Sequence, residues 1–180
     1  FKRRGGEAET ANGTVWSRNK LLLLGGALCG VLLGAGSLLQ QAGIQYTSAG
    51  KAGFLTALYI VIVPILGIFL GRRPGLKVWA GVLVALAGTY CLSVNGDFSI
   101  APGDALILVS ALFFSLHIMV VDRVAPNVDG IKLSCIQFFV AGLISTVLAF
   151  VLETPRLGEI LQAWGPLLYT GVMSSGVAYT

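Results

Sequence analysis

Residues 54–70 read FLTALYIVIVPILGIFL, 17 residues without a charge, with Pro64 just past the middle. GIQYTSAGKAG precedes this run at 43–53 and GRRPGLK follows it at 71–77. A helix rises ~1.5 Å per residue, so the run, extended back over Ala52 and Gly53, nearly crosses the ~30 Å hydrocarbon core of a bilayer. A buried strand is far shorter, and a helix in a soluble core keeps a polar face over such a length. The run is read as a transmembrane helix. Pro64 is its expected kink, because proline removes a backbone donor and frees a carbonyl.

The pattern recurs. Six apolar segments run over roughly 21–41, 52–70, 78–94, 105–121, 133–152 and 164–180. Apolar residues make up 56% of the chain and charged residues 11%, against roughly 25% charged in a soluble domain; the mean hydropathy is +0.85. The expected fold class is an all-α membrane protein, a polytopic helical bundle with six spans. The net charge of +4 does not mark a nucleic-acid binder, because the Lys and Arg residues fall in short loops. Loops 1–20, 71–77 and 122–132 hold ten of them, while 42–51, 95–104 and 153–163 hold two, Lys51 and Arg156. Positive charge stays on the cytoplasmic side, so the first set of loops is expected in the cytoplasm of a multi-pass plasma or inner membrane protein. Residues 1–20 are expected as a polar, basic loop. The chain opens FKRRGG and stops inside an apolar run, as expected of a piece of a longer protein.

The helices carry small residues at contact spacing: Gly26, Gly30 and Gly34, then Gly81, Ala85 and Gly88. In lipid such stripes let backbones approach closely, so both are expected at helix–helix contacts, with a substrate path as the alternative. Asp104 is placed to cap the fourth helix. Cys29, Cys91 and Cys135 all lie in apolar runs, which suits reduced, packed thiols and neither a disulfide framework nor a metal site. A slide from residue 30 to 171 lays GVLLGA over GVMSSG and would pair the first segment with the sixth. Five crossings separate them, so the copies would point in opposite directions, as in the inverted repeats of secondary transporters.

No engine or catalytic cluster is legible. Gly50-Lys51 lacks the phosphate-loop partners, since Gln45 and Ala52 stand where Gly and Ser or Thr are needed. Gly34-Ala35-Gly36 has Leu39 in place of the third glycine of a dinucleotide motif. Only His117 titrates near neutrality within a span, with no carboxylate beside it, so an enzyme is not expected and neither is a cofactor, metal or catalytic residue. His117 is open to two readings, an interfacial packing residue or a group handling substrate or protons. Thr56 and Tyr59 lie three apart on one face of the second segment. Gln137 needs a partner across the bundle or a cavity. Gln40, Gln41, Gln45 and Tyr46 gather at the outer mouth, and Phe113 and Phe114 offer an apolar wall.

The stretch LQQAGIQYTSAGKAGFLTALYIVIVPILGIFLGRRPGLKVWAGVLVALAGTYCLS at 39–93, with its Thr-Ser-Ala loop, Phe-Leu-Thr helix start and basic turn, resembles the EamA-like branch of the drug/metabolite transporter superfamily. GDALILVSALFFSLHIMVVDRVAP at 103–126 is similar to the first helix of that family's second repeat. The resemblance implies two inverted five-helix repeats, of which the six segments are helices three to eight. Residues 1–20 would be a cytoplasmic loop, 21–94 the last three helices of the first repeat, 95–104 an external loop and 105–180 the first three helices of the second. One departure is Gly71-Arg72, where many members carry Gly-Glu. The family's cavity lies between the repeats, along segments one, two, four and six, which implies Gln40, Thr56, Tyr59, Ser110, Phe114, His117 and Ser175 as substrate-binding residues, with Gln137 less central. The function implied is secondary transport of small metabolites, amino-acid-like compounds or drugs by alternating access. The alternative is a non-transporting scaffold or accessory subunit. The expected partners are a small-molecule substrate and the lipid bilayer, with a homodimer left open and no nucleic acid.

Overall fold

Hydrocarbon offers no hydrogen bonds, so a crossing segment must pair its own N–H and C=O groups, and a helix does so within itself. The computed structural model is helical apart from short turns in the residues it describes: the backbone of 4–93, 102–152, 158 and 162–177, and their side chains except at 4–16, 92, 93, 174, 175 and 177. In chain order these are α1 Arg4–Ile44, α2 Ala49–Ala57, α3 Tyr59–Phe69, α4 Leu76–Ser93, α5 Pro102–Val124, a 3-10 turn Ala125–Asn127, α6 Gly130–Leu152, α7 Trp164–Leu168 and a π-helix Tyr169–Val177. Among the described residues, four stretches are long and apolar enough to cross a membrane: Ser17–Ile44, Ala49–Phe69, Pro102–Asn127 and Gly130–Leu152. Leu76–Cys91 is apolar and shorter. Phe69, Leu83, Val84, Phe139 and Phe150 stand exposed, which suits surfaces solvated by acyl chains.

Several expectations change. Residues 4–20 are helical and continue α1 rather than forming a loop. Once 21–44 is wound, each further residue needs only propagation, and no proline interrupts 4–20. The second segment tightens by one turn at Leu58, which separates α2 from α3 while its own backbone stays helical at φ −59° and ψ −17°. There Leu58 N donates to Leu55 O at 3.3 Å, and the Leu58 carbonyl accepts from Val61 N at 2.9 Å and Ile62 N at 3.1 Å. Thr56 lies near the end of α2 and Tyr59 opens α3, either side of that turn. Pro64 lies further on, inside α3. α5 begins at Pro102, so Asp104 lies in its first turn rather than at the cap. Of the three free thiols, Cys29 is packed, while Cys91 and Cys135 are exposed on their helices.

The chain divides into two compact units, one formed by 32–122 and the other by 1–31 with 123–180. In the first unit, α4 packs against α2 and α3. The Phe54 and Tyr90 rings meet edge to face at 5.9 Å. Ala52, Leu55 and Ile107 form a small core, flanked by Phe54 and Leu58. Close approach of α1 and α5 is made possible by glycine: a Cβ on Gly103 would overlap the Gly43 carbonyl, and one on Gly43 would lie 2.6 Å from Ile107. α3 ends in a Schellman turn, with Gly71 at φ 79° and bonds of 2.9 Å from Gly71 N to Ile68 O and from Arg72 N to Gly67 O. Positive φ is open to glycine at no steric cost.

In the second unit, the glycine stripe of α1 meets α6. A Cβ on Gly26 would lie 2.7 Å from Ile136, and one on Gly30 would lie 2.6 Å from Val140 and 2.7 Å from the Gln137 carbonyl. The Gln137 side chain is buried and engaged. Asp129 caps α6, its Oδ1 accepting from Ile131 N at 3.0 Å and Lys132 N at 3.3 Å. The other stripe behaves differently: Gly81 and Gly88 are exposed, with nothing within 4 Å of a notional Cβ. Its expected helix contact is therefore not made among the described residues.

Gly103→Val forces α1 and α5 apart and is expected to destabilise by about 1–3 kcal/mol. Gly88→Ala is expected to change stability by less than about 0.5 kcal/mol. Reversible unfolding of both variants in mixed detergent micelles measures the difference.

Candidate functional site

The 32–122 unit carries most of the polar groups anticipated from sequence. On α5, Gly103, Ile107, Ser110, Phe114 and His117 follow one another at spacings of four, three, four and three, a single helix face. The glycine contacts fix where that face points. Gly103 and Ile107 lie against Gly43 of α1, and the Phe114 ring lies 3.1 to 3.3 Å from where a Gly36 Cβ would be. Register thus runs antiparallel, from Gly36 beside Phe114 to Gly43 beside Gly103. Gln40 lies one turn from Gly36 on the same face of α1, and its Nε2 donates to Thr56 Oγ1 of α2 at 2.8 Å.

This hydrogen bond joins two candidate residues from different helices. Among the described residues it uses one of the two Gln40 N–H groups. One N–H and the amide carbonyl remain for a solute, as does the Thr56 hydroxyl hydrogen. Ser110 is fully buried, and its Oγ donates to the Ile107 carbonyl at 2.7 Å, so its hydrogen is spent within its own helix. Ser115 does the same with Ala111 at 2.7 Å. His117 is buried and held by interactions of its own. Tyr59 is half-buried at the start of α3. Ser175 belongs to the π-helix of the other unit, and its side chain lies outside the described residues. No group of three His, Cys, Asp or Glu side chains among the described residues could hold a metal.

Sequence reading missed the strongest electrostatic feature of this unit. Lys51 Nζ and Asp104 Oδ2 lie 2.5 Å apart, with side chains 16% and 9% exposed, joining the first turns of α2 and α5. A second pair, Arg72 with Asp122, also at 2.5 Å, joins the end of α3 to the end of α5, with side chains 57% and 49% exposed. One pair lies at the starts and the other at the ends, so α2–α3 and α5 run parallel. Asp104 and Asp122 are 18 residues apart, ~27 Å along a helix, close to the thickness of a hydrocarbon core. The sequence shows each member alone: Lys51 is the one cation between the first two segments, and Asp104 is the one carboxylate in the first turn of α5.

Lys51→Met leaves a carboxylate poorly paired in a shielded place and is expected to cost on the order of 3 kcal/mol, most of it recovered in Lys51→Met/Asp104→Leu. Breaking the exposed pair with Arg72→Gln is expected to cost no more than about 1 kcal/mol, and less at high salt. A double-mutant cycle on each pair, read by unfolding in mixed micelles at two salt concentrations, measures both.

Comparison with known proteins places the chain in a family. The profile of the EamA-like transporter family matches residues 8–94 and 101–180. A protein from Archaeoglobus fulgidus described as an uncharacterized transporter is 33% identical over 116 residues, covering 64% of this chain and 37% of its own length. The aligned region thus spans little more than a third of that relative. No solved structure matches.

Proposed function

The chain belongs to the EamA-like transporter family, and from that premise we propose that this multi-pass membrane protein moves small uncharged or zwitterionic solutes by alternating access. The solute classes are metabolites, amino-acid-like compounds and drugs. The observation that carries the reading is the Gln40–Thr56 hydrogen bond. It places an amide and a hydroxyl between α1 and α2, one turn along α1 from Gly36, where the Phe114 ring packs. A polar pair inside a span is costly to keep and marks a pathway. Gln40 and Thr56 offer hydrogen bonds to the solute, Phe114 and Tyr59 offer apolar and aromatic surface, and we assign proton coupling to the imidazole of His117, on the same face of α5 as Phe114.

The tightened turn at Leu58, where a bond from Leu58 N to Leu55 O replaces the regular helical spacing, is the point at which we place a bend of this span during alternating access. In this reading the protein lies in the plasma or inner membrane with 1–20, 71–77 and 122–132 towards the cytoplasm, as the distribution of Lys and Arg supports. Its partners are the solute and the bilayer, and a homodimer is compatible with the exposed stripe at Gly81 and Gly88.

Solute flux in proteoliposomes, with a proton gradient imposed or collapsed, tests the proposal across a broad panel. The wild type is expected to show gradient-dependent flux. Gln40→Ala, having lost a neutral hydrogen-bonding group, is expected to weaken apparent affinity by about 2- to 10-fold. His117→Ala is expected to abolish the response to the gradient. Absence of flux from the wild type across the whole panel would overturn the proposal.

A further inference from the structure

We propose that the 1–31 and 123–180 unit carries a binding site for the headgroup of an anionic phospholipid. A cleft of about 130 Å³ opens there, lined by Arg18, Asn19, Leu22, Val128, Asp129 and Lys132, all from this one unit. That volume is several times what one water molecule needs. Its height in the membrane follows from the helices that form it. The apolar spans begin at Ser17 and at Gly130, so Arg18, Asn19 and the 128–132 turn stand where hydrocarbon gives way to headgroups.

The lining chemistry suits a phosphodiester attached to a glycerol backbone. Arg18 and Lys132 are exposed, and among the described residues neither is engaged in an ion pair. Arg18 can present a planar fork to two phosphate oxygens and Lys132 a point charge. Asn19 adds an amide donor. Asp129 would oppose an anion, but its Oδ1 already accepts the N–H groups of Ile131 and Lys132, so part of its charge is directed into the start of α6. With two cations and one carboxylate the lining keeps a formal charge of +1. Leu22 and Val128 are half-buried and give the cleft an apolar side, which a free inorganic ion could not use but the glycerol and first methylenes of a lipid could. Basic pockets between spans on the cytoplasmic side bind anionic headgroups in this way, and the distribution of Lys and Arg places this end of the helices on that side.

Native mass spectrometry of the purified full chain, equilibrated with phosphatidylglycerol or with phosphatidylcholine, tests the site. Wild type is expected to retain phosphatidylglycerol in preference to phosphatidylcholine. Arg18→Gln/Lys132→Gln is expected to lower retention of phosphatidylglycerol about 25-fold, at about fivefold per charge, with phosphatidylcholine unchanged. Arg73→Gln/Lys77→Gln, which removes the same charge elsewhere, is expected to lower it less than twofold. Should the first double variant not fold, Lys132→Gln alone is expected to lose about fivefold, while Lys132→Arg keeps the wild-type level. Undiminished retention in the Arg18 and Lys132 variants, or equal loss in the two double variants, overturns the site. Displacement of the lipid by millimolar inorganic phosphate overturns the lipid assignment in favour of a free anion.

Discussion

The contact between the Gly43 and Gly103 backbones is the interaction on which the 32–122 unit depends. With no side chain at either position, α1 and α5 meet closely enough for Ile107 to fill the space beside Gly43. Once that point is set, the helical repeat sets the rest. Phe114 must fall beside Gly36, and Ser110 and His117 must share the face between and beyond. A larger residue at 103 would shift the whole stripe, so the placement of the candidate site is a consequence of packing at one end of two helices. Water gives no hydrophobic impulse for such association within lipid, which is why small residues and close van der Waals contact carry it.

Charge completes what packing begins. Lys51 and Asp104 close the start of the parallel pair formed by α2–α3 and α5, and Arg72 and Asp122 close its end. The two pairs differ in environment. The first is largely shielded, so losing either member leaves a costly residual charge; the second is about half exposed and bathed in solvent, where a Coulomb attraction is weak and screened. Between them lies an apolar span with Gln40 and Thr56 as its cross-helix hydrogen bond. In the proposed reading the solute meets the protein there, where, among the described residues, that bond leaves one Gln40 N–H and the Gln40 carbonyl still to be paired.

Much of this was legible in the sequence because bilayer crossing imposes a length and a polarity that any reader can measure. The apolar runs and the contact stripe at Gly26 and Gly30 follow from residue type and spacing, while Gln40 and Thr56 came together through the family resemblance, which implied no bond between them. Three features were not legible, each for a physical reason. The tightened turn at Leu58 leaves no mark in composition, because Leu58 is as apolar as its neighbours and the proline lies further on. The Lys51–Asp104 pair joins residues 53 apart in the chain, and no local rule pairs them. Gly81 and Gly88 have the spacing of a contact stripe but face open space, because spacing shows that a face can pack closely without showing that a partner is there.

The central claim is that α2–α3 and α5 cross the bilayer side by side in the same direction, with the two ion pairs at opposite surfaces. Single cysteines at 51, 104, 72 and 122, in a chain whose Cys29, Cys91 and Cys135 have been replaced by alanine, can be labelled in oriented vesicles with a membrane-impermeant maleimide. The account predicts that 51 and 104 react from one side only and 72 and 122 from the other side only. Labelling of 51 and 72 from the same side, or of 104 and 122 from the same side, would contradict it.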